Sequence, residues 1–168
     1  MKNSTKHKAE EASFFLSKMK QRFEDDIIFS YYLSAFLSAT RSITFYMQKQ
    51  YKKQNGFSEW YCQQQIKMSN DAELKFLNKA RVEDVHKSPV KTGATREKTF
   101  TVDVVIVKEG EKVEEQVEED EKKSQHKISP KTIRRFFTTY EHEDVVEFSE
   151  RQLKKLLQLV EECENIFS

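Results

Sequence analysis

Two side chains of this sequence carry the elements of phosphodiester chemistry: Arg81 and His86, which bound the segment Arg81-Val-Glu-Asp-Val-His86. Arginine holds a permanent charge on a planar fork of donors suited to a phosphate. Histidine exchanges protons near neutral pH, and the dipole at a helix C-terminus favours its charged form. Together they are the minimum for metal-free RNA cleavage. A base takes the proton from a ribose 2′-hydroxyl while a cation stabilises charge on the phosphoryl group. Glu83 and Asp84 lie between them and are candidates for orienting the histidine, so they join the site as binding residues.

The spacing sets a geometric condition. Leu74, Leu77 and Arg81 are three and four residues apart, so the arginine continues an apolar helical stripe. His86 is five residues further on, about 140° around an ideal helix. The two converge if the helix loosens near its end, which Pro89 favours by disfavouring helical geometry at Ser88, or if a second subunit contributes. A structural alternative stands beside this: Arg81 in a buried ion pair with Glu24, Asp25 or another carboxylate, and His86 merely ending the helix.

Other chemistries lack support. There is no glycine-rich phosphate loop, HExxH or GxSxG, and Cys62 and Cys163 stand far apart without a CxxC or a histidine cluster. No metal and no cofactor is expected. With 29 basic and 28 acidic residues the net charge is +1, which removes the bulk electrostatic argument for a nucleic-acid or membrane binder and leaves a local patch. Arg134-Arg135 reads as a solvated patch, His7, His126 and His142 as exposed, and Trp60 and Tyr61 as core.

The stretch Ile27 to Met47 has the length of a membrane span. It contains Arg41 and recurrent Ser and Thr and follows Glu24-Asp25-Asp26, so no membrane insertion is expected. The N-terminus lacks the apolar core of a secretory signal, and a cytoplasmic location is expected.

The elements that must position the pair are mainly helical. Ala9, Ala12, Leu16, Met19 and Phe23 mark a first helix, and a long second runs from about Phe23 to Tyr51, with Asn55-Gly56 offering a left-handed stop. Its rows of Ser34, Ser38, Ser42, Ala35 and Ala39 permit close helix approach. A third helix starts near Ser58. A fourth begins at Asn70, with Glu73 reaching back in a capping box, and ends about His86. Thr99 to Val107 then alternates as a strand, Lys108 to Glu111 turns a hairpin, and Lys112 to Val117 returns. Ile133 to Tyr140 is a third strand or an extended connection. Val146, Leu153, Leu156, Leu157, Val160, Cys163 and Phe167 mark the last helix. The fold expected is mainly α: an antiparallel bundle of four to five helices in one domain spanning 1–168, with a β-containing insertion at 98–138 before the last helix.

The ordered series SAFLSATRSITFYMQKQY, FSEWY and KFLNKARVEDVH, over about residues 27–89 together with the final helix, resembles the HEPN family. That family's hallmark is an arginine, four to six residues, then a histidine. The resemblance implies an antiparallel bundle, usually a homodimer with two motifs facing a shared cleft. Many members are metal-independent endoribonucleases of toxin–antitoxin and phage-defence systems. Others are catalytically inactive and bind nucleotide or protein. By position, Arg81 and His86 are the implied catalytic pair, and RNA or nucleotide, a cognate antitoxin or another protein are the implied partners. Val82 stands where active members commonly carry a polar residue.

Overall fold

Residues 4–97, 132–138 and 140–167 are described by the computed structural model. The chain is mainly helical, with a small antiparallel sheet before the last helix. Its element order is α1 (Ser4–Gln21), α2 (Asp26–Tyr51), α3 (Phe57–Asn70), α4 (Ala72–His86), β1 (Thr92–Glu97), β2 (Thr132–Phe137), β3 (Tyr140–Asp144) and α5 (Val145–Phe167).

Three aspartates start the helices that matter most. Asp25 accepts from the N–H groups of Ile27 (3.1 Å) and Ile28 (3.0 Å), Asp71 from Glu73 (2.9 Å) and Leu74 (3.0 Å), and Asp144 from Val146 (2.7 Å) and Glu147 (3.2 Å). Each carboxylate satisfies two backbone donors that a helix start leaves free, and its charge suits the positive end of the helix dipole.

These caps correct three expected boundaries. The long helix starts at Asp26 and not at Phe23, because the chain turns after Gln21 and Asp25 captures the first free donors. The cap of α4 is Asp71 and not Asn70, and Glu73 does not reach back, since its carboxylate is held by α5. Gly56 does take a left-handed conformation (φ 78°). It opens α3 instead of closing α2, whose last turn ends on the Lys52 N–H bonded to the Gln48 carbonyl.

Over its 26 residues α2 spans roughly 39 Å and touches α1, α4 and α5. It buries Phe29, Leu33, Phe36, Leu37, Ile43 and Met47. The expected α1 stripe is buried at Ala9, Ala12, Leu16 and Met19, while Phe23 lies beyond the helix in the α1–α2 elbow. On α5 the expected residues Val146, Leu153, Leu156, Val160 and Cys163 are buried, and Leu157 is exposed. Burial pushes the Cys163 thiol up to about 12, so it is an inert core group. No described helix is long and apolar enough to cross a membrane.

The sheet has the order β1-β2-β3. Strand β1 pairs antiparallel with β2 from Thr92 opposite Phe137 to Glu97 opposite Thr132, and β2 pairs with β3. The expected strand over Ile133 to Tyr140 divides into β2 and β3. Strand β1 was not expected, because Thr-Gly-Ala-Thr-Arg-Glu has no apolar alternation. A side chain on Gly93 would collide with the Phe136 ring, which lies across it. The expected hairpin over Thr99 to Val117 falls outside the described residues. The sheet is joined to the helices by edge-to-face contacts among Phe76, Phe137 and Phe148, with centroids 5.1 to 5.6 Å apart.

Arg135 overturns the reading of Arg134-Arg135 as a solvated patch. Arg134 is exposed, but Arg135 is 2% exposed. On β2, residue 135 alternates with 134 and shares the inward side with Phe137. Its guanidinium lies over the rings of Phe29 (4.7 Å) and Phe23 (5.5 Å), donates to the Phe23 carbonyl (2.6 Å) and pairs with Asp26. The fork thus satisfies the α1–α2 elbow and ties the sheet to it. Arg135→Ala should lower stability by about 2 to 4 kcal/mol, with Arg135→Lys recovering only part, read from the urea unfolding midpoint.

At the start of α4 an ionic lace joins α5. Lys155 bonds Asp71 and Glu73 (both 2.7 Å), Gln152 donates to Glu73 (2.7 Å), and Arg151 reaches Glu73 (3.0 Å) and Glu143. The Lys155 hydrogen bond, then that of Gln152, holds the Glu73 carboxyl down at about 2, from 4.5. A depressed carboxyl stabilises the fold above its unfolded value and stops doing so as pH falls through its folded one. Thermal stability should therefore decline from about pH 5 toward pH 2, and the decline should be shallower in Glu73→Gln.

Candidate functional site

Helix α4 is regular from Ala72 to His86, so the expected loosening before the histidine does not occur. The Lys87 and Ser88 N–H groups both donate to the Glu83 carbonyl (2.9 and 3.1 Å), and the break follows at Pro89. Within one chain the ideal angle of about 140° between Arg81 and His86 therefore applies. His86 is exposed, on the stripe of Lys75 and Lys79, about 20° from Lys75. Arg81 is half-buried, on the side that faces α2.

Asp84 fixes how α4 lies on α2. Its Oδ2 accepts from the Ser34 hydroxyl of α2, and its Oδ1 accepts from the Val90 N–H (3.2 Å). Ser34 meets Asp84 while Leu37 and Arg41 meet the region of Arg81, so the two helices run antiparallel. Asp84 is thus placed as an anchor of the helix and of the turn leading to β1. Glu83 is exposed.

Beside this anchor α2, α3 and α4 enclose an open groove of about 430 Å³. Arg81 lines it together with Arg41 of α2 and Lys75 of α4, and among the described residues no Asp or Glu lines it. Its floor is apolar, from Leu37, Met68, Leu74 and Leu77, and Asn78, Thr44 and Gln65 add neutral polar groups. Among the described residues no carboxylate pairs with Arg81. Glu24 is exposed and Asp25 caps α2, so the ion pair considered between them and Arg81 is absent.

Arg41 is a member of this groove that the sequence reading used only as an argument against membrane insertion. Its Nη1 donates to the Thr44 hydroxyl (2.9 Å), which in turn donates to the Arg41 carbonyl (3.1 Å). The signal was present: Arg41 is the single charged residue between Ile27 and Met47. Tyr61 is buried as expected and accepts from Gln48 (2.9 Å), and Trp60 packs against the core. His7 is exposed on α1. His142 lies in β3, and His126 falls outside the described residues. No grouping of three or more His, Cys, Asp or Glu that would hold a metal occurs among the described residues.

What the groove can do follows from its charge. Three cations from two helices meet an apolar floor, with no carboxylate beside them among the described residues, an arrangement that attracts a phosphate carried on an organic group. No family model, curated protein or solved structure matches the chain.

The two acids that the sequence groups together should separate on mutation. Asp84→Ala should cost about 1 to 3 kcal/mol and speed amide exchange at Val90, whereas Glu83→Ala should stay within about 0.5 kcal/mol. Paired chemical unfolding and hydrogen exchange would read both.

Proposed function

We propose that this chain is an HEPN-like, metal-independent endoribonuclease of the toxin or defence type that works as a homodimer. The observation that carries the reading is Arg81 at the rim of an open groove, with no carboxylate partner among the described residues. An arginine that served only the fold would be paired, as Arg135 is with Asp26.

In this reading Arg81 holds the phosphoryl oxygens of the scissile linkage. His86 takes the proton from the ribose 2′-hydroxyl, the 2′-oxygen bonds to phosphorus, and the bond to the 5′-oxygen breaks, a proton returning to that leaving oxygen. Because His86 is not among the residues that line the groove in its own chain, the histidine that meets a given Arg81 comes from a second copy. The exposed face of α2 suits that copy. Ile27, Tyr31 and Phe45 are 61 to 65% exposed and, with Ser38, fall within about 40° of one another on an ideal helix. This row borders Arg41 and runs past the Ser34 anchor toward the end of α4 that carries His86. A homodimer closed across it is symmetric and presents each arginine to the partner's helix end.

A second reading is favoured by two particulars, the separation of His86 from the groove and Val82 after the arginine. It is a catalytically inactive HEPN-like module that binds nucleotide or protein through the same cations.

One experiment divides the readings. RNA is incubated in EDTA with the protein, Arg81→Ala, His86→Ala and Phe45→Glu, and each form is sized by light scattering. The nuclease reading expects cleavage by a dimer, losses of about a hundredfold or more in the first two variants, and a monomeric, inactive third. Cleavage untouched by either active-site substitution would sink it. Nucleotide binding without cleavage would establish the second reading.

A further inference from the structure

We propose that Arg41 and Arg81 form a two-helix clamp for one phosphate, with Lys75 as a third cation, and that the ligand is a nucleotide unit whose base rests on the apolar floor of the groove. The choice of a nucleotide rests on the reading above. The clamp itself rests on the groove.

The argument begins with charge matching. Four cations that reach neighbouring elements have acidic partners: Lys155 has Asp71 and Glu73, Arg151 has Glu73 and Glu143, Arg135 has Asp26, and Lys20 has Glu150. Arg41, Lys75 and Arg81 converge on one groove that no carboxylate lines among the described residues. In a chain of net charge +1 this is a local concentration of positive charge, with no acidic partner among the described residues.

The groove also has the means to orient its ligand. Thr44 is buried, and by accepting from Arg41 Nη1 it engages one of the five donors of the guanidinium and aims the fork. Arg81 approaches from the opposite helix, half-buried, and loses less freedom on binding than a fully solvated side chain. A phosphate between two forks accepts charge-assisted hydrogen bonds from both. The volume of about 430 Å³ lies in the range of small-molecule sites. Leu37, Met68 and Leu74 give an apolar surface that a bare inorganic phosphate would leave uncovered.

Lys154 provides the control. It is an exposed cation on α5 outside the groove, so its removal changes the net charge equally without touching the clamp.

The test is fluorescence anisotropy of a labelled single-stranded 2′-O-methyl oligoadenylate, which lacks the hydroxyl that cleavage needs, in EDTA, with AMP and inorganic phosphate as competitors, after each variant's melting curve is shown to match the parent. Arg41→Ala and Arg81→Ala should each weaken binding about tenfold or more. Arg41→Lys should recover part, and Lys154→Ala should bind as the parent does. AMP should compete better than inorganic phosphate. Competition by AMP at concentrations near the RNA affinity assigns the site to free nucleotide, and competition only far above it assigns the site to a residue of a strand; either supports the clamp. Equal weakening by Lys154→Ala and Arg41→Ala, or no binding by the parent, would overturn it. The nuclease reading fails separately: binding that needs Arg41 without cleavage keeps the clamp and removes the nuclease, while cleavage unaffected by Arg41→Ala does the reverse.

Discussion

The carboxylate of Asp84 takes one hydrogen bond from Ser34 of α2 and another from the Val90 N–H, and through them the register of α4 on α2 is fixed. A slip of one helical turn would move Arg81 about 5.4 Å along the α2 axis. That would carry its guanidinium out of reach of the side chains it now shares a groove with. Ser34 permits this register because its hydroxyl is short and close to the helix backbone. The same carboxylate that sets the helix pair also begins the turn into β1, so the groove and the sheet share one anchor. At the other end of α4 the carboxylates of Asp71 and Glu73 do corresponding work with Lys155 of α5. The helix carrying Arg81 is therefore held at both ends by hydrogen bonds, with Leu77 and Ala80 buried between them and the groove along one side.

Much of this was legible before the structure. The helical stripes of α1 and α5 follow from spacing alone, because a helix buries residues at intervals of three and four wherever it meets a core. The placement of Arg81 beside Leu74 and Leu77 was legible for the same reason, and all three line the groove. The helix starts were misplaced by a few residues where several polar residues compete. Asn70 and Asp71 both suit a cap, and only the partners drawn to Glu73 decide between them. Arg135 was missed because a buried arginine is rare and its neighbour Arg134 suggested a surface. Strand β1 was invisible in principle: its residues have little strand preference, and the pairing with β2 is a long-range fact.

The separation of Arg81 from His86 and the discovery of Arg41 have a common cause. Sequence spacing gives angles on one helix, whereas a site is built from several. Counting along α4 predicts correctly that residues 81 and 86 diverge, but says nothing of what faces each one. Arg41 is forty residues away and enters only through the antiparallel packing that Ser34 and Asp84 define. Its oddness within α2 was a readable signal, the single charge in a long run of apolar and small residues. The physical question that such a residue poses is why a surface charge sits at the margin of a packed face, and the groove answers it.

Two guanidiniums and an ammonium around one cavity repel one another, and the fold would be steadier with an acid among them. The chain supplies acids freely elsewhere: its 28 Asp and Glu nearly balance its 29 Lys and Arg, and the lace around Lys155 shows how readily they are placed between helices. Among the described residues the groove's cations thus lack the acidic partners that Lys155, Arg151 and Arg135 have. Such unmatched charges concentrate where a fold gives up stability for function, because a counter-ion supplied from within would have to be displaced by any ligand. On the clamp proposal, an incoming phosphate relieves the repulsion among the three cations, and its binding and the order of the groove reinforce each other.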